Sequence, residues 1–110
     1  MESILTSIKK LLGIAEDDEH FDIDVIMGIN SAFSVLTQLG IGPEDGFLIT
    51  GKNATWIEFM QDNKRLEFLK TYVYLKTKLV FDPPLSSAVI DAINRQISEL
   101  EWRLNIEADS

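Results

Sequence analysis

The chain contains no cysteine, so disulfides and thiolate metal sites are excluded and the fold must rest on a packed core. Its single histidine, His20, has no cysteine to activate and sits among acids, as a solvated side chain does. No apolar run approaches the ~20 residues needed to cross a bilayer. A signal peptide is not expected, because Lys9 and Lys10 follow the first apolar residues instead of preceding an unbroken apolar core. Positive charge is scarce: 10 Lys and Arg against 18 Asp and Glu, a net charge of −8. That balance argues against affinity for a phosphate backbone. An acidic domain can still sit beside DNA if its task is to let the polymer slide past. The 110 residues, 45 % of them hydrophobic, are expected to form one domain spanning 1–110. A chain of that size buries roughly two-thirds of its unfolded surface.

Proline occurs three times, and two of the three are adjacent. Pro83 and Pro84 remove two amide donors, and Pro83 disfavours helical geometry at Asp82. They divide the stretch from Asn63 to Asn105 into two helical arms folded back on each other. On the first arm, Leu66, Leu69, Val73 and Val80 form one stripe, and Phe68, Tyr72, Leu75 and Leu79 form the stripe beside it. An apolar arc of about half the circumference needs neighbours on two sides, so this helix is expected to be central. The second arm carries a narrower stripe of Val89, Ile90, Ile93, Ile97, Leu100 and Leu104, suited to covering one side of a core. Ser86 or Ser87 can cap its start, with Asp91 near the positive end of the dipole.

Upstream, Ser3 to Leu12 reads as a short amphipathic helix with Ile4, Leu5, Ile8, Leu11 and Leu12 inward, stopped by Gly13. Ala15 to Glu19 is an acidic linker. A helix from Asp22 to Leu39 follows, with Val25, Ile26, Ile29, Ala32, Phe33, Leu36 and Leu39 in one arc. Ile23 and Met27 fall outside that arc and are expected to make secondary core contacts, the alternative being a partner surface. Gly40-Ile41-Gly42-Pro43 ends the helix. Phe47 to Thr50 is a short strand or an ordered loop, and Thr55 is the N-cap of a short helix, Trp56 to Gln61. The fold class expected is mainly α: a compact bundle of about four helices with a C-terminal helical hairpin and an irregular segment at 41–55.

Patterns that carry chemistry fail on inspection. Gly46 to Asn53 nearly spells a phosphate-binding loop, but Asn53 lacks the hydroxyl that holds magnesium. Neither a buried strand before it nor a long helix directly after it is expected, and its bulky residues read as a core anchor. Glu16, Asp17, Asp18, Glu19, Asp22 and Asp24 miss the calcium-loop spacing. Glu99 and Glu101, two apart on a helix, diverge. No catalytic set, cofactor, metal or small-molecule substrate is expected.

Charge is unevenly placed. Residues 1–24 carry −5, 25–63 carry −3, 64–82 carry +3 and 83–110 carry −3. Only the first arm of the hairpin is basic, and it shows Lys70, Tyr74 and Lys78 at successive i, i+4 positions opposite its apolar arc. That strip is a solvated face or a contact for an acidic surface. Trp102 lies opposite the apolar stripe of the second arm, near Asp91, Arg95 and Ser98. It either lies under a loop, such as the Phe47 segment, or faces another chain. Tryptophan and arginine are enriched at binding hot spots, which makes Trp102 and Arg95 candidate interface residues.

The runs Tyr72-Val73-Tyr74-Leu75-Lys76, Leu79-Val80-Phe81-Asp82-Pro83-Pro84 and Ile97 to Asn105 resemble the head–tail connector (adaptor) proteins of long-tailed bacteriophages and prophages. So do Leu12-Gly13-Ile14 before the acidic linker, and Phe47 to Gly51 followed by Thr55-Trp56 and Phe59. The resemblance covers nearly the whole chain and brings no catalytic residues with it. It implies a mostly helical protomer that forms a homo-oligomeric ring beneath the portal protein. Such a ring extends the DNA channel and presents a platform to a neck or tail-completion protein. Genomic DNA then passes without specific binding, no membrane is involved, and the protein resides in the virion after assembly in the host cytoplasm. A ring uses two different patches per subunit. The expected pairing is the Glu16–Asp24 stretch, with Asp17, Asp18 and Asp22, against Lys70 and Lys78 of the next copy. The competing class is a small helical regulatory module that binds a protein or DNA.

Overall fold

The computed structural model describes residues 3–60 and 63–109. Its helices are α1 (Ile4–Leu12), α2 (Asp22–Gln38), α3 (Trp56–Phe59), α4 (Asn63–Phe81) and α5 (Ser87–Asp109). The chain is thus mainly α, ending in the expected hairpin. No strand forms among the described residues; Phe47 to Thr50 is an ordered loop, and an isolated bridge joins Ser3 to Thr55. The expected continuation of the short helix to Gln61 lies outside the described residues.

Local sequence explains the ends. Ser3 accepts a hydrogen bond from the Thr6 amide at 3.2 Å and starts α1. Gly13, at φ 83°, takes the left-handed turn that lets two amides close onto the last carbonyls. In α3, Glu58 accepts from the Thr55 amide at 3.1 Å. Past Pro83 and Pro84, it is Ser86 that caps α5, accepting from the Val89 amide at 3.4 Å.

Helix α4 is central, with α1, α2 and α5 packed around it. Its pairing with α2 is the most extensive and is antiparallel: the Phe21 and Phe81 rings meet at 5.4 Å near one end, and Gly28 faces Thr77 further along. Leu69, Tyr72, Val73 and Leu75 of α4 are buried against Val25, Ile29, Ala32, Phe33 and Leu36 of α2 on one side and Ile93, Ile97 and Leu104 of α5 on another. Each such side chain contributes about 1.5–3 kcal/mol by leaving water. Below them, Phe33, Phe47, Trp56 and Phe59 form an aromatic cluster with ring centroids 4.6 to 6.2 Å apart. The loop that imitates a phosphate-binding sequence therefore anchors the core through Phe47 and buried Ile49.

Several apolar side chains are not buried as expected. Ile23 and Met27 are 76 % and 64 % exposed, so they are not core contacts. They sit diametrically opposite the α2 residues that α4 covers. Leu11, Phe68, Val80 and Val89 are also exposed. Val80 stays open, while Phe21 packs on its neighbour Phe81.

The α2–α4 approach leaves no room for a side chain. A Cβ on Gly28 would lie 2.9 Å from Thr77 Cγ2 and 3.3 Å from its Cα. Gly28→Leu is expected to destabilise the fold by about 1–3 kcal/mol through overpacking, read as a lower urea midpoint with unchanged slope.

Candidate interaction surfaces

The acidic linker is shaped by a buried lysine. Lys9 is 3 % exposed, and its ammonium donates to the carbonyls of Glu16 at 3.1 Å and Asp18 at 2.7 Å. It also pairs with Asp22 Oδ1 at 2.8 Å. Two carbonyls accept hydrogen bonds from the ammonium, and the Asp22 carboxylate beside it supplies the opposite charge. The linker is thereby folded back onto α1, while Glu16, Asp17, Asp18 and Glu19 remain exposed. Asp18 also accepts from the His20 amide at 3.1 Å, which tightens the turn before α2. Of the expected acidic interface residues, Asp17 and Asp18 face solvent and Asp22 is committed to Lys9.

On α4, the side turned away from α2 is the part left uncovered. Lys70 and Tyr74 line a hollow with Lys10, Leu11 and Thr71, between α1 and α4. Lys70 lies 3.8 Å from Glu67 and Lys78 lies 3.7 Å from Asp82, each within one helical turn. These pairs are partly exposed and contribute little to stability. The only net-basic stretch of the chain is thus enclosed by three helices, with one strip open. That burial is incompatible with laying the helix into a DNA groove.

On α5, Trp102 is 65 % exposed, which decides against packing beneath the Phe47 loop. It borders a groove with Phe68, Leu100, Arg103, Leu104 and Ile106. Arg95 is exposed on the same outward face, two helical turns earlier. The carboxylates of Glu99 and Glu101 diverge as expected. Glu99 pairs with Arg103 at 2.8 Å, whereas Glu101 accepts from the Tyr72 hydroxyl at 2.7 Å. Burial raises the Tyr72 pKa well above its ordinary value, and the Glu101 carboxylate adds to the rise. The tyrosine therefore stays a donor and ties α5 to α4.

No metal-holding cluster of His, Cys, Asp or Glu occurs among the described residues. No helix there is long and apolar enough to cross a membrane. What the surface offers is an acidic apron, a basic strip and apolar side chains facing outward. A family model described as phage connector protein matches residues 4–110. The chain belongs to the phage connector protein family. No curated protein and no solved structure is significantly similar to it. As a connector, it is a structural virion component of the head–tail junction, where its family contacts portal and tail proteins.

Within this connector, the residue that composition and motif reading passed over is Lys9. Its signal was its place at the edge of the α1 apolar arc, a few residues before a run of acids. Lys9→Ala is expected to cost about 1–3 kcal/mol, because it strands buried oxygens. Faster amide hydrogen exchange confined to residues 14–22 would check the local part of that loss.

Proposed function

We propose that this connector assembles into a closed ring at the portal, extends the DNA channel, and presents a platform to a tail or neck protein. The observation that carries the reading is the division of the surface into unlike patches on a chain of the connector family. The acidic apron, residues 16–24, holds six acids and no Lys or Arg. The open strip of α4 holds Lys70, Tyr74 and Lys78. Unlike patches favour head-to-tail contacts, and head-to-tail contacts close into rings when the rotation between subunits allows it. In that arrangement the acids of one copy, Asp17 and Asp18 among them, meet Lys70 and Lys78 of the next. Arg95 and Trp102 serve a contact with a neighbouring subunit or with the portal or tail. The net charge of −8 suits a wall past which DNA slides, since an acidic lining repels the polymer.

Two measurements test this. Lys70→Glu with Lys78→Glu should weaken assembly at low salt by light scattering, with the effect shrinking as salt rises; unchanged assembly would remove the proposed charge contact. The assembled ring should show no measurable retention of duplex DNA at physiological salt, and tight retention would contradict a sliding channel.

A further inference from the structure

The molecule is 21 Å through its thinnest direction, about two helix layers. Its two broad sides differ. One is the outward face of α2, where Ile23 and Met27 stack at i, i+4 spacing. One turn beyond Met27, Asn30 holds the Ile49 backbone through two hydrogen bonds of 2.9 and 2.8 Å. Exposed Leu48, the neighbour of Ile49, is thereby held near α2, where it lines a hollow with Ser34 and Thr37. The exposed acid Asp24 lies within this face, and the acidic apron leads into it.

The other side is the face of α4 turned away from α2. Between α4 and α5 runs a groove with an apolar floor of Phe68, Leu75, Leu100 and Leu104, closed at one end by Trp102 and Ile106. Across Thr71 it joins the hollow that contains Lys10 and Lys70. Arg103 lines the groove itself.

We propose that the α4–α5 groove receives the outward face of α2 from a second copy of this chain. A helix offering apolar anchors one turn apart is the shape that a groove between two helices accepts. The charges select the pairing. The stripe arrives with the acidic apron beside it, whereas the groove and its adjoining hollow carry a slight basic excess, Lys10, Lys70 and Arg103 against Glu67 and Glu99. Pairing two α2 faces with each other would instead bring two acidic aprons together. Because stripe and groove lie on opposite broad sides, occupying one leaves the other free, and the contact propagates head to tail. The inference rests on the self-assembly reading above and supplies its apolar part.

The absence of native cysteine makes the test direct. Ile23→Cys and Ile106→Cys variants are mixed under mild oxidation across a concentration series, alongside sedimentation of the wild type. The mixed disulfide should exceed either self-disulfide at least tenfold. Adding Met27→Asp to the Ile23→Cys chain should reduce it at least tenfold with an unchanged circular-dichroism melt. A wild type that oligomerises while the mixed disulfide is absent, or no more abundant than the self-disulfides, overturns this pairing and leaves self-assembly standing. A wild type monomeric at every concentration, with no mixed disulfide, overturns both.

Discussion

At Gly28 the backbone of α2 comes so close to Thr77 of α4 that a methyl group would not fit. This approach sets the rotation of α2 about its own axis. Val25, Ile29, Ala32, Phe33 and Leu36 turn toward the core, and Ile23 and Met27 turn outward as a consequence. It also sets which arc of α4 is consumed by α2. With α1 and α5 taking the flanks, one strip of α4 stays open, and that strip carries the lysines. A single close helix contact thus determines both sides of the molecule at once, the apolar acidic one and the groove with its bases.

Three polar ties hold the irregular parts to this frame. Lys9 folds the acidic linker onto α1, Asn30 pins the loop at Ile49 to α2, and Tyr72 fastens α5 through Glu101. Each contributes modestly to stability when intact and costs more when one partner is lost, because the other is left desolvated. Their effect on function is preorganisation. Surfaces built by linkers and loops reach a partner already shaped, so less ordering entropy opposes the contact. A structural protein of the head–tail junction depends on such surfaces, since recognition of neighbours is its work.

Much of the architecture was readable because helical periodicity and capping are local. The break at Pro83-Pro84, the stop at Gly13, the start at Thr55 and the central position of α4 follow from residues within one or two turns of each other. The candidate surface was readable in part. The outward direction of Trp102 was visible on a helical wheel, but whether a loop covered it depended on where Phe47 went. Phe47 went to Phe33 and Phe59, a choice set by aromatic partners far along the chain. Periodicity set Ile23 and Met27 outside the apolar arc, but the secondary core contacts expected of them do not form. The pattern does not say that the space beyond the arc is solvent.

By itself the sequence determined that the chain is helical, hinged at two prolines, free of disulfides, acidic overall and basic along one helix. These are properties of composition and of contacts between near neighbours. Only the tertiary structure decided that Lys9 is buried among three oxygens, that α2 shows two large apolar residues to the outside, and that α4 and α5 leave a groove. Those outcomes depend on which helix lies against which, and long-range packing is chosen by the fit of whole faces, a quantity that no short window of residues contains.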